Sequence, residues 1–380
     1  MKAVSQSSIR VMVVGRFNSI HTRRFAEELC RQGAEVAGLC LSTSTERPRL
    51  RCYQPAATPR IFGLPKTAMF ASLVYLRNAI RDFRPDIIHI QDDPRMAKWL
   101  RLTRPRSVKL AYTTWGHYPP KVLGDASFRR SLRDASLVVS DAQDVLEEII
   151  PFAPRARQEI MRFGADLSEF SPGTADVSVL SQYGLKPEGQ YVLSPRSLRP
   201  SYNQITLIRA LPRVLEKLPD LQLILKHHHV ANYDDAADYE RQVRSEAERL
   251  GVWNRIIRLD HLPYDHLCHL YRVSRAAVSI PLMDGFPASI FESMASGCPL
   301  IVSRDKSYEG VIEEDVNSLV VEPEDAAGLA EAMLRILSDQ EYHSRLRDAG
   351  FRTVREKGNF VQEVARVIES YETLMNGDET

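Results

Sequence analysis

Hydrophobic positions along this chain come in short runs, separated by segments whose apolar residues recur every three or four positions. The run "IRVMVVG" (9–15) is almost wholly apolar and ends in Gly15, which predicts a strand covered on both faces. "SIHTRRFAEELCRQG" follows, with Phe25, Ala26 and Leu29 on one face and Gly33 as a stop signal, and predicts a helix. "AEVAGLCLS" (34–42) predicts a second strand. Strand, helix, strand in about thirty residues is a βαβ unit, the building block of parallel sheets. Further apolar runs at "DIIHI" (86–90), "KLAYTT" (109–114) and "SLVVS" (136–140) continue the pattern, with candidate helices between them.

A stretch rich in Ser, Gly and Pro (169–190) reads as a linker, after which the alternation restarts. Strands are predicted at 191–197, 221–227, 255–260, 276–282 and 299–303, and helices at 204–219, 234–251 and 287–297. Three helical stretches close the chain, at about 324–337, 340–357 and 360–376. The expected architecture is α/β, with two Rossmann-like domains at 1–185 and 186–359. The helix at 360–376 is a candidate to return to the first domain. A length of 380 residues suits two domains.

Charge changes this picture. The formal net charge of +1 conceals 28 Lys+Arg against 19 Asp+Glu in residues 1–190, and 22 against 30 in the remainder. A basic half of +9 and an acidic half of −8 point to separate partners. The basic run from Arg95 to Lys109 carries six cations and a Trp, and Arg129, Arg130 and Arg133 follow it. Such a stretch is either an ordinary solvated face or a contact for an anionic membrane surface. No recognition motif accompanies it, so nucleic acid is not expected. Five widely spaced cysteines without a C-x-x-C pair exclude a disulfide framework and a zinc ribbon. The apolar run Val11–Val14 is too short for a signal-peptide core, and no stretch approaches the roughly 20 apolar residues of a membrane span. A cytoplasmic chain, peripheral to the membrane at most, is expected.

The window richest in chemistry is "AAVSIPLMDGFPASIFESMASGCPLIVS" (276–303). Pro287 suits a first helical position, and the first-turn amides of Ala288, Ser289 and Ile290 would form an anion site backed by the helix dipole. Asp284 precedes that helix and Glu292 lies about one and a half turns into it. Two carboxylates flanking a phosphate site suit a nucleotide sugar, with sugar hydroxyls on one acid and ribose hydroxyls on the other. The plain alternative is a solvated loop acid and a surface helix acid.

This window resembles the E-x7-E signature of the retaining glycosyltransferases of family 4, the glycosyl transferases group 1, which have the GT-B fold. "ESMASGCPLI" (292–301) matches the small-residue helix, Gly and Pro-Val-Ile that usually follow the signature there. The similarity runs through most of the chain, at "HTRRFAEELCRQGAEV" (21–36), "RPDIIHIQDD" (84–93), "TTWGHYP" (113–119), "ASLVVSDAQ" (135–143) and "RFGADLSEFSPG" (162–173). It implies two Rossmann-like domains facing each other across a cleft, an acceptor side in the first and a nucleotide-sugar side in the second. It further implies a hexosyl-type transfer to an acceptor hydroxyl of a glycan, lipid-linked or small molecule, with retention of configuration. No metal or other cofactor is expected. The rival expectations are a GT-B epimerase or phosphorylase-like enzyme, and a catalytically impaired binding or assembly subunit.

Carried over position by position, the resemblance makes Asp284 a catalytic candidate; the family's histidine aligns with Trp115, and His117 is the second catalytic candidate by its place after Gly116 at a strand-to-loop turn, with a plain loop histidine as the alternative. Gly15, Arg196, Lys226, Phe286, Ala288, Ser289 and Glu292 become donor-binding candidates, and His21 and Arg24 acceptor-binding ones. The chain departs from the pattern in three places. The first acid is Asp284 instead of Glu, Tyr202-Asn203 stands where the family carries Lys-Gly, and "LKHHH" (225–229) replaces a Gly-x-Gly turn. Arg196 and Lys226 are then the cations nearest to hand for a diphosphate. Three adjacent histidines, His227 to His229, face alternate sides of a strand and do not share one ion. His89, inside an apolar strand, reads more simply as a core residue. Gly15 stands alone, without the glycine fingerprint of a dinucleotide site.

Overall fold

The computed structural model describes residues 8–40, 50–53, 66–227, 236–260 and 262–377. His228 and His229 lie outside the described residues. The chain divides into two units, residues 1–162 with 361–380, and residues 163–360.

In the first unit the apolar runs form a parallel sheet whose central strands are buried on both faces, which is why they lack a polar alternation. The strands are β1 (Arg10–Gly15), β2 (Glu35–Cys40), β3 (Arg51–Tyr53), β4 (Ile87–Gln91), β5 (Lys109–Thr114), β6 (Leu137–Ser140) and β7 (Arg157–Ile160). The helices are α1 (Ile20–Arg31), α2 (Lys66–Phe83), α3 (Pro94–Thr103), α4 (Pro120–Leu123), α5 (Ala126–Leu132) and α6 (Gln143–Ile149). The strand order is β3-β2-β1-β4-β5-β6-β7, with Val11 in register with Val36 on one side and Ile87 on the other. Edge strands β3 and β7 carry little apolar signal, "RCY" and "RQEI", since an edge needs no continuous apolar run.

The second unit restarts the same construction. Its strands are β8 (Tyr191–Ser194), β9 (Gln222–Lys226), β10 (Ile256–Leu259), β11 (Ala276–Ser279), β12 (Leu300–Ser303) and β13 (Leu319–Val321). They pair in parallel in the order β10-β9-β8-β11-β12-β13. Its helices are α7 (Val177–Gln182), α8 (Gln204–Leu215), α9 (Ala236–Arg249), α10 (Tyr264–Val273), α11 (Ala288–Ala295), α12 (Ala326–Ser338) and α13 (Gln340–Lys357).

The dividing point is Arg162/Phe163, ahead of the position expected from composition, residue 185. The supposed linker is in fact anchored to the second unit. Phe170 is buried against Tyr264 and Tyr271, Arg272 donates to the Ser171 carbonyl at 2.8 Å, and the Tyr183 hydroxyl meets His266 at 2.7 Å. Ser, Gly and Pro there mark irregular backbone, and aromatic packing fixes it in place.

The last helix, α14 (Phe360–Asn376), lies on the first unit from Val361 onward. His89 on β4 is the pin that joins them. Its Nδ1 meets the Tyr371 hydroxyl and its Nε2 lies 2.5 Å from the Thr113 hydroxyl. Burial lowers this imidazole to about 3, so it stays neutral. His89 is therefore a satisfied core residue. Glu363 on the same helix accepts the Arg162 N–H at 2.9 Å and pairs with Arg366, yet burial pushes its carboxyl up to about 7. A carboxyl raised above its unfolded value of 4.5 adds stability at low pH, and that stability is lost as pH rises toward 7. Glu363→Gln should abolish this term, worth roughly 1–3 kcal/mol. The melting temperature of the variant relative to wild type should rise between pH 5 and pH 8; a constant difference would refute the assignment.

Candidate functional site

Strand order reverses between β8 and β11, and at such a point the loops leaving the strand ends part to form a crevice for ligands. Arg196 leaves the end of β8, Lys226 ends the neighbouring β9, and Asp284 lies on the loop between β11 and α11. Glu292 comes from α11 itself. Four charges from separate stretches of sequence thus gather at one sheet edge. Backbone bonds knit the loops that carry them. Leu282 N–H donates to the Ser201 carbonyl at 2.8 Å, and the Ser307 hydroxyl to the Asp284 carbonyl at 3.1 Å.

Arg196 forms an ion pair with Asp284, both side chains largely enclosed. The guanidinium also lies over the Tyr202 ring, 4.0 Å from its centroid. A planar cation in such a sandwich gains about 1–2 kcal/mol when desolvated. Tyr202, which replaces the expected lysine, therefore braces a cation instead of supplying one. Its neighbour Asn203 adopts a left-handed conformation, φ 56°, which Asn tolerates better than most residues in place of the expected glycine. Burial raises the Asp284 carboxyl, and Arg196 pulls it back. Burial lowers the Lys226 ammonium, with Glu292 opposing the shift.

The start of α11 differs from expectation in one respect. Pro287 is the extended residue ahead of the helix, φ −75° and ψ 136°, and its carbonyl takes the Ile290 N–H at 3.1 Å. The amides able to face an anion reduce to those of Ala288 and Ser289. Gly297, at φ 74°, ends the turn that closes this helix.

Several polar atoms here are buried without a hydrogen-bond partner in the protein. They are Arg196 Nε, Asn203 Nδ2, Ser289 Oγ and the Tyr308 hydroxyl. An unmet buried donor or acceptor costs about 1–3 kcal/mol, so water or a ligand is expected to meet these atoms. Tyr308 was not legible as a site residue. It leads out of β12 in a short turn, near Asp284 and Arg196, and packs edge-on to Phe286 at 5.7 Å. Phe286 is itself 2% exposed and packed on Phe291, so it supports the loop from behind.

The candidates of the first unit are placed differently. Gly15 ends β1, and a Cβ there would come within 3.1 Å of Thr22 and Gln91, so close packing explains it. His117 is held by two acids of α6, with Glu148 at 2.7 Å and Asp144 at 3.3 Å. His21 and Arg24 share α1, and the His21 ring lies 6.0 Å from that of Trp115. Asp92, absent from the expected set, follows β4 in a left-handed conformation, φ 46°, and accepts the Tyr118 hydroxyl at 2.6 Å. In the second unit His227 is buried between Asp260 at 2.7 Å and Glu240 at 2.9 Å. Among the described residues, no group of three or more His, Cys, Asp or Glu is placed to hold a metal ion, and no helix is long and apolar enough to cross a membrane.

Residues 180–353 match the family described as glycosyl transferases group 1, and residues 19–164 match the glycosyl transferase 4-like domain. The two matches together take in most of the chain and support a family 4-like glycosyltransferase. Its sequence is 21% identical over 300 residues to the protein YtcC of Bacillus subtilis (strain 168), covering 76% of this chain and 73% of that one. Three further relatives are matched over 18%, 41% and 49% of their own length, so their substrates do not carry over. Among solved structures, a glycosyltransferase from Rickettsia africae superposes with a TM-score of 0.80 at 15% identity, covering 98% of this chain and all of that one. HepE from Anabaena, solved in complex with UDP-glucose, gives 0.77 at 15% identity over 96% of this chain and all of HepE. At such identity the likeness establishes the GT-B fold: this glycosyltransferase is built from two Rossmann-like α/β units.

Proposed function

We propose that this glycosyltransferase moves a sugar from a nucleotide-diphosphate sugar to an acceptor hydroxyl, with retention of configuration and without a bound metal. The observation that carries the reading is the meeting of Arg196, Lys226, Asp284 and Glu292 beside the α11 start, at the strand-order reversal. The UDP-glucose bound by HepE supports the donor class. Arg196, Lys226 and the Ala288 and Ser289 amides take the diphosphate, Glu292 the ribose, and Asp284 orients the transferred sugar. The sugar–phosphate bond breaks as the acceptor oxygen bonds to the same carbon. The leaving phosphate receives the acceptor proton. Charge growing on that phosphate meets fixed cations and amides, which is where stabilisation accelerates the step. Asp284 thus orients the sugar, unlike the paired carboxylates of retaining glycosidases.

The first unit takes the acceptor, with His21 and Arg24 as contacts; His117, a catalytic candidate by sequence, is engaged by Glu148 and Asp144 and is here given the role of steadying the loop after β5 instead. Its basic character suits an anionic glycan or lipid-linked acceptor, presented at an anionic membrane surface to a cytoplasmic enzyme. A screen of nucleotide sugars for nucleotide release tests the reading. One donor should support turnover undiminished by chelator, its product should keep the anomeric configuration, and anionic vesicles should bind the enzyme better than neutral ones. Release from none, with nucleoside diphosphate still bound, would make this a binding subunit instead.

A further inference from the structure

Two phenols converge on Glu292. The Tyr264 hydroxyl donates to Oε1 at 2.8 Å, and the Tyr271 hydroxyl lies 3.4 Å from both Oε2 and the Ser289 carbonyl. The two tyrosines are seven residues apart on α10, two turns along one face. Phe170 packs edge-on against both rings, at 5.3 and 6.3 Å, so neither phenol is free to swing. Glu292 is 5% exposed, and its charge is felt by Lys226 nearby.

We propose that Tyr264 and Tyr271 are positioning residues that fix the Glu292 carboxylate to accept two hydrogen bonds from a vicinal diol, the ribose of the donor nucleotide. The proposal rests on the donor-site reading above. An ionised carboxylate offers about four acceptor sites, two per oxygen. One phenol on each oxygen fixes the carboxylate plane and leaves one site on each, side by side. A cis-diol presents two donors at that spacing. A glutamate held beforehand loses less rotamer freedom on binding than one that must be ordered by its ligand. The single Tyr271 proton is shared between Oε2 and the Ser289 carbonyl in the first turn of α11, so the shorter Tyr264 bond is the main restraint on the carboxylate.

The test is calorimetric titration of the full chain with UDP, GDP and ADP, then with the 2′-deoxy counterpart of whichever binds best. Wild type should prefer the ribonucleotide by about tenfold or more, the worth of one hydrogen bond to a charged group. Tyr264→Phe should cut that preference to about threefold or less, with a modest drop in melting temperature from the lost bond and the fold retained, and Tyr271→Phe should act in the same direction. A full preference retained in both variants overturns the proposal. So does a wild type that binds the nucleoside diphosphate without regard to the 2′-hydroxyl. Failure of wild type to bind any of the three instead removes the donor-site reading, and the proposal with it.

Discussion

Replacing Glu292 by alanine should raise the donor KM by about 30- to 150-fold while kcat changes less than about threefold. The size follows from the loss of two charge-assisted hydrogen bonds to ribose, together worth roughly 2–3 kcal/mol. The split follows from geometry. On the proposed reading Glu292, within α11 and not at its start, holds the ribose, which does not react, and an interaction equal in ground and transition states moves KM alone. Removing the carboxylate also leaves the Tyr264 and Tyr271 hydroxyls without their acceptor, so a modest drop in melting temperature accompanies the kinetic change. Glu292→Gln keeps the volume and one acceptor oxygen and should fall between the two. Wild-type donor affinity in Glu292→Ala would remove Glu292 from the site.

How much of this was legible beforehand depends on whether a residue's partner lies nearby in sequence. The buried strands were readable because a parallel sheet covered on both faces leaves continuous apolar runs, as at Val11–Val14 and 276–279. Edge strands β3, β7 and β13 carry short or polar sequences and left no such trace. Asp284 and Glu292 were singled out because a strand end followed by a helix start is a local pattern, and Arg196 because the resemblance puts an arginine next to its position. Their partners were not. Tyr264 reaches Glu292 across 28 residues and Arg196 reaches Asp284 across 88. No spacing rule predicts such meetings, because the crossovers of the sheet bring them about. Tyr202 shows the same limit from the other side. By sequence it is a missing cation; in the fold it is the plate on which Arg196 lies. His89, read more simply as core, owes its satisfied state to Tyr371, 282 residues away.

Arg196→Ala should lower kcat by about 10²–10³, the cost of losing one fixed group from a leaving-group site. Two roles are folded into that number. Arg196 holds Asp284, and it stands where a diphosphate would develop charge. A cycle of variants separates them. If Arg196 served only to balance the buried carboxylate, Asp284→Asn would remove the need for it, and Arg196→Ala/Asp284→Asn would turn over as fast as Asp284→Asn alone. If it acts on the leaving phosphate, the double variant should be at least tenfold slower than Asp284→Asn. Arg196→Lys keeps the charge but not the planar face that lies on Tyr202, so it should recover only part of the rate. The pH profile gives an independent reading. Burial already raises the Asp284 carboxyl, and Arg196 opposes that rise. Without the guanidinium the carboxyl climbs further, and turnover that needs the ionised form falls off at higher pH than in wild type. Tyr308 and Asp305 face the same carboxyl and remain in place. An acid limb that stays put in Arg196→Ala would therefore mean that ionised Asp284 is not required for turnover, leaving the diphosphate role of Arg196 to be judged by the double variant alone.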